Sequence, residues 1–66
     1  MKTITYINDV TKTDTVLTDP YFVYDCGFPC VVGNDPEGNE VWLDIRSEAE
    51  FLQGLEEGII RAPISL

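Results

Sequence analysis

The sequence predicts an α+β fold in which a small antiparallel sheet of about four strands packs against one C-terminal helix. Three observations predict it. Short runs of β-branched and aromatic residues fill the first two thirds of the chain, turn-forming residues separate these runs, and apolar residues near the C-terminus recur at helical spacing. Folding buries only about 60% of the unfolded surface of a chain this small. We therefore expect one domain, residues 1–66, with a small core.

The first strands are predicted from alternation and from residues that break it. In residues 2–7, apolar and threonine side chains alternate, which indicates a strand. A turn at residues 8–9 would allow residues 14–18 to pair back as a second strand. Pro20 is expected to separate this strand from the aromatic run 21–24, which suits a further strand.

A predicted hairpin follows the aromatic run. Gly27 and Pro29 indicate a bend or bulge before residues 30–32. Residues 34–39 collect the types that tight turns prefer and lead into the strand 40–44. We expect residues 30–32 and 40–44 to pair.

A helix over residues 48–57 is predicted from its two ends. Ser47 and Glu50 have the spacing of a capping box, in which the serine oxygen accepts from the Glu50 N–H and the Glu50 side chain returns to the serine N–H. Gly58 can take the left-handed conformation that closes a helix. Arg46, beside the helix start, is expected to pair with Asp44 or Glu48.

One face of this helix is expected to pack on the sheet. Phe51, Leu52 and Leu55 lie at helical spacing, and Gly54 is interpreted as permitting close approach. The apolar tail 59–66 is expected to lie against the body as an extended segment.

Composition limits the possible functions. The chain has no histidine and therefore lacks the usual general base near neutral pH, so we expect no enzymatic activity and no cofactor. No apolar run approaches the length of a membrane span, and the N-terminus lacks the features of a signal peptide, so a cytoplasmic protein is expected. Twelve acidic residues against four basic ones give a net charge of −8, which should repel nucleic acid and anionic lipid.

Two motifs are interpreted as structural. Three residues separate Cys26 from Cys30, where thioredoxin-type motifs have two, so both are expected to be small apolar side chains near a bend. A disulfide would not persist in a reducing cytoplasm, and two cysteines cannot complete a zinc site alone. The oxygen-rich segment 34–40 lacks the EF-hand pattern, which favours a polar turn.

The strongest functional signal in the sequence is the placement of its acidic residues. Glu56 and Glu57 lie at the helix C-terminus, where each exposed carboxylate is unfavourable by roughly 0.3–1 kcal/mol. This placement suggests a role beyond stability, although a solvated, solubilising surface is an equally good reading. The candidate partner-binding residues are Asp44, Glu48, Glu50, Glu56 and Glu57, with Tyr21 and Tyr24 as interface aromatics if they are exposed.

Four features of the sequence together resemble a known family: the small size, the surplus of carboxylates, the absence of histidine and the layout of strands followed by a helix. The chain resembles the small acidic anti-CRISPR proteins of phages and mobile elements, of the kind that mimic DNA. This resemblance implies a monomeric, non-catalytic inhibitor that binds a basic groove of a CRISPR effector complex, or of a similar nuclease, and blocks DNA binding. Charge reversal of Glu56 and Glu57 to lysine would then abolish inhibition and leave the fold intact.

Two alternatives remain open. One is a small phage structural or assembly domain that self-associates through its apolar tail 59–66, which Ile64→Asp would disrupt. The other is a redox or metal module that uses Cys26 and Cys30, which serine at both positions would inactivate.

Overall fold

The computed structural model describes residues 2–61 and contains a five-stranded sheet with one helix packed on it. The elements are β1 (Thr3–Asn8), β2 (Thr13–Asp25), β3 (Phe28–Asn34), β4 (Glu40–Asp44), α1 (Glu48–Glu57) and β5 (Ile59–Arg61). The sheet order is β4-β3-β2-β1-β5. The predicted small α+β fold is confirmed, with one strand more than expected.

The additional strand is β5, and it makes the sheet mixed. Strands β1 to β4 form antiparallel pairs, whereas β5 lies parallel to β1 and pairs Ile60 with Tyr6. The start of the apolar tail is therefore extended, as predicted. The rest of that prediction, for residues 62–66, lies outside the described residues.

Strand β2 corrects the prediction that Pro20 separates two strands. The strand is continuous over thirteen residues, with a register shift between Thr18 and Tyr21. Asp19 at this irregularity has a φ of 52°, and Pro20, which has no N–H to donate, is tolerated at such a bulge. Because the irregularity changes the alternation, Thr18 and Tyr21 point to the same face of the sheet.

The connection between β2 and β3 also differs from the sequence-based expectation of a bend or bulge. Asp25 pairs with Phe28, and the two residues between them, Cys26 and Gly27, have φ values of 53° and 85°. Two successive positive φ values characterise the type I′ turn of a two-residue hairpin. The chain therefore reverses completely at this point.

The predicted hairpin between β3 and β4 is confirmed. The Asp35 carboxylate accepts from the backbone N–H groups of Glu37 and Asn39, at 3.0 and 2.8 Å. Gly38 supplies a φ of 87°. The oxygen-rich segment is thus a turn that satisfies its own donors.

Helix α1 has the predicted bounds. The Glu50 N–H donates to Ser47 Oγ at 3.3 Å, and Gly58, with a φ of 79°, donates from its N–H to the Gly54 carbonyl. The returning half of the capping box is absent, because the Glu50 carboxylate accepts instead from the backbone N–H and the guanidinium of Arg46, at 2.8 and 2.7 Å. The expectation that Arg46 pairs with Asp44 or Glu48 is therefore wrong.

The core lies between α1 and one face of the sheet. It contains Ile4, Tyr6, Leu17, Val31, Ile45, Phe51 and Ile60, all at most 7% exposed. Leu55 packs against it, but Leu52 is 55% exposed, so the expectation that Leu52 faces the sheet is wrong. Gly54 does permit close approach, because a Cβ there would collide with Cγ1 of Ile60.

A candidate protein-interaction surface

The second face of the sheet has no helix on it. Strand register and alternation place on its β2–β3–β4 part the side chains of Thr18, Tyr21, Val23, Asp25, Phe28, Cys30, Val32, Asn34, Glu40, Trp42 and Asp44. These eleven residues are called the open face below. In one row Tyr21, Val32 and Trp42 lie side by side, and in the next row Val23, Cys30 and Asp44 do.

The open face exposes large aromatic rings. Phe28 is 68% exposed, Trp42 51% and Tyr21 45%. Val32, between Tyr21 and Trp42 in the register, is nevertheless fully buried. The exposed face of an antiparallel sheet is ordinarily polar, and contiguous exposed apolar area marks interaction sites in proteins. This face therefore has the character of a contact surface.

The charge of this region has one sign. Residues 13–45 contain seven carboxylates and no lysine, arginine or histidine. On strand β4 the Glu40 carboxylate accepts from the Tyr21 hydroxyl at 3.3 Å, and Asp44 lies at the other end of the same strand. The aromatic rings of the open face are therefore bordered by negative charge without a nearby cation from the same segment.

A cavity of about 470 Å³ lies at the end of the open face, where β4 stops and the β2–β3 hairpin continues. Its lining residues are Asp25, Cys26, Phe28, Pro29, Cys30, Asp44 and Ile45. It thus combines two carboxylates with an exposed aromatic ring. Its volume falls in the range of ligand pockets, roughly 300–1,000 Å³.

The acidic residues singled out from the sequence lie in three places. Asp44 is on the open face, where its Oδ1 accepts from Cys30 Sγ at 3.6 Å. Glu50 and Glu57 lie on one flank of α1, where Glu50 is paired with Arg46 and Glu57 accepts from Gln53 at 2.8 Å.

Glu48 and Glu56, eight residues apart, lie on the other flank of α1 with the exposed Leu52 between them. The five carboxylates thus do not gather on one helix face.

The two tyrosines lie on opposite faces. Tyr21 belongs to the open face, whereas Tyr24 follows Phe22 on the helix-bearing face, with its ring edge-on to Phe22 at 5.0 Å between centroids. Both are exposed, Tyr24 to 64%. Only Tyr21 is therefore part of the open face.

The cysteines are also separated by environment. Both are free thiols; Cys30 is buried, whereas Cys26 is exposed on the hairpin turn, so the expected role of a small apolar side chain near a bend fits Cys30 alone. Burial, followed by the hydrogen bond to Asp44, raises the pKa of the Cys30 thiol. Cys30 is therefore protonated at neutral pH and acts as a small apolar side chain with one donor.

Sequence reasoning missed Trp42 and Phe28. The signal for Trp42 was present, because alternation in 40–44 places Glu40, Trp42 and Asp44 on one face, opposite the apolar Val41 and Leu43. Phe28 had no comparable signal, since its position depends on the tight turn at Cys26 and Gly27.

Comparison of the chain with protein-family models, with curated proteins and with solved structures finds no match. Among residues 2–61, no helix has the length and apolar character needed to cross a membrane. Within the same range, no three acidic, histidine or cysteine side chains are grouped as a metal site requires.

Proposed function

We propose that this protein is a non-catalytic inhibitor that binds a basic, nucleic-acid-binding surface of a host defence complex of the CRISPR effector type and blocks DNA binding. The observation that carries the proposal is the one-sided charge of the segment 13–45. This segment forms strands β2, β3 and β4 with their connecting turns, and it contains seven carboxylates and no basic side chain. A surface built to hold phosphates is rich in lysine and arginine, and a carboxylate-rich surface competes for the same cations.

The state of the carboxylates supports this proposal. Among residues 2–61, Glu50 and Asp9 are the carboxylates that form ion pairs, with Arg46 and Arg61 at 2.7 and 3.4 Å. The remaining acidic side chains of that range have no internal cation, so their charge is available to a partner. Opposite charge on a partner accelerates encounter, and salt weakens the effect within a Debye length of about 8–10 Å.

The same charge supports action as a monomer, and the proposed place of action is the cytoplasm of the host cell. Two copies meeting through the segment 13–45 would bring seven carboxylates against seven. Like charges in contact oppose association. The rival function, an assembly domain joined through its apolar tail, is favoured by a different observation: β5 is an edge strand of three residues paired with β1 alone in the described sheet.

The test is a competition experiment. A guide-loaded CRISPR effector is mixed with a fluorescein-labelled target duplex, and anisotropy is followed while the protein is added at several salt concentrations. The proposal expects displacement of the duplex, with an apparent affinity that falls as salt rises.

Two outcomes would contradict the proposal. In the first, a representative panel of effectors keeps its DNA at saturating protein. In the second, sedimentation shows self-association that Ile64→Asp abolishes, which supports the assembly function instead.

A further inference from the structure

We propose that the open face is the contact surface, and that the cavity at its end receives an arginine side chain from a basic segment of the partner protein. This inference rests on the proposed function and deepens it, since it names the site and the chemistry of the group bound. It moves the contact from the carboxylates of α1 to the sheet.

Charge complementarity identifies the occupant. Asp25 and Asp44 both line the cavity, and the open face contains no cation that would neutralise them. Asp44 uses Oδ1 to accept from the Cys30 thiol, which leaves its second oxygen unpaired in the described structure. A cationic side chain entering the cavity would therefore meet two carboxylates.

Aromatic geometry favours arginine over lysine. Phe28 lines the same cavity and is 68% exposed, and Trp42 precedes Asp44 by two residues on the same strand face, about 7 Å along the strand. A guanidinium is planar, stacks on aromatic rings and binds a carboxylate through two parallel hydrogen bonds, whereas an ammonium is a compact, strongly hydrated charge.

The flanks of α1 offer a poorer binding surface for an arginine side chain than the open face does. Glu50 and Glu57 already accept hydrogen bonds from Arg46 and Gln53, and Leu52 is an isolated exposed apolar residue on the other flank. The open face instead combines three exposed aromatic rings with the carboxylates of Asp25 and Asp44, neither of which forms an ion pair in the described residues. Aromatic side chains are enriched among the residues that dominate binding energy at interfaces.

The sole tryptophan of the chain is the reporter. The protein is produced with 5-fluorotryptophan, and its single ¹⁹F resonance is followed during titration with an octapeptide of alternating arginine and glycine. A saturable shift of the Trp42 resonance is expected, with an affinity at least about five-fold higher than for the matched lysine peptide.

Two double variants with the same change of charge isolate the contact. Asp25→Asn with Asp44→Asn is expected to weaken peptide binding about ten-fold or more, and Glu56→Gln with Glu57→Gln less than about two-fold. Unchanged circular dichroism and urea midpoints exclude misfolding. A resonance that does not move, equal losses in both double variants, or equal affinities for the two peptides would overturn the inference.

Self-association is tested in the same samples, because a shift on dilution without peptide would assign the face to a second copy and overturn the inference. The titration contains neither effector nor DNA. Its failure is thus distinguishable from failure of the proposed function, which the competition experiment measures.

Discussion

The two faces of the sheet are built from alternate residues of the same strands, yet they differ in how much of their apolar side chains they leave exposed to solvent. On the helix-bearing face Leu17 and Val31 are fully buried beneath α1. On the open face Trp42 and Phe28 remain half or more exposed beside carboxylates. Under the proposal above, binding belongs to the open face and stability to the helix-bearing face, so neighbouring residues should respond to substitution in different assays.

The largest expected effect comes from removing a buried side chain on the helix-bearing face. Leu17→Ala removes a fully buried side chain and should reduce the free energy of unfolding by about 3 kcal/mol. The matched control is its neighbour Val16, which points to the other face and is 44% exposed; Val16→Ala should reduce stability by less than about 1 kcal/mol. Urea denaturation followed by circular dichroism measures both. Equal losses would contradict the assignment of the two faces.

A second test adds volume to the buried face. Alanine at Gly54 improves helix propensity by about 1 kcal/mol, but its Cβ would meet Cγ1 and Cδ1 of Ile60, the latter at 2.9 Å. We expect a net loss of about 1–2 kcal/mol, measured by urea denaturation. In an Ile60→Ala background the same substitution should destabilise less. Stabilisation by Gly54→Ala alone would show that the packing is looser than described.

A smaller effect concerns the hydroxyl of the core residue Tyr6, which donates to the Asp44 carbonyl at 2.6 Å. Tyr6→Phe should cost about 1 kcal/mol at neutral pH. Burial, then the negative charge of Asp44, raises the pKa of Tyr6 to about 12 from 10.0. Because the folded-state pKa is the higher one, the stabilisation is complete below pH 10 and is lost as pH rises towards 12.

The variant provides the control for this pH dependence. Urea midpoints measured between pH 8 and pH 12 should fall less steeply for Tyr6→Phe than for the native chain, since the variant lacks the titrating group. Parallel curves would show that Tyr6 does not cause the alkaline loss.

The smallest effect is a difference in reaction rate between the two thiols. Cys26 is exposed on the hairpin turn, whereas Cys30 is buried with a raised pKa. With Ellman's reagent at pH 7.5, Cys26 should react first and Cys30 at least about ten-fold more slowly. Cys26→Ser should remove the fast phase alone. A single fast phase for both thiols would mean that the open face is accessible to solvent at Cys30.

Sequence reasoning located the elements whose signals are local. Helix α1 was predicted to its terminal residues because Ser47 and Gly58 carry capping chemistry in their own side chain and backbone. The β3–β4 hairpin was predicted because Asp35 and Gly38 specify its turn.

The rest depends on conformation or on distant pairing. Positive φ values are uncommon outside glycine, and nothing local to Asp19 or Cys26 specifies one, so neither the bulge in β2 nor the tight turn after it was predicted. Strand β5 pairs with β1 across more than fifty residues, which no local pattern indicates. That bulge and that turn set the positions of Tyr21 and Phe28 on the open face, so this part of it was missed, whereas the alternation of β4 already indicated Trp42.

The most direct test of the central claim compares two residues of nearly equal exposure on opposite sides of the molecule. Trp42 on the open face is 51% exposed, and Leu52 on α1 is 55% exposed. Affinity of Trp42→Ala and Leu52→Ala for a guide-loaded CRISPR effector is measured by displacement of labelled DNA. At least about a ten-fold loss is expected for Trp42→Ala and less than about two-fold for Leu52→Ala. Retained affinity in Trp42→Ala, or equal losses in both variants, would contradict the claim that the open face is the contact surface.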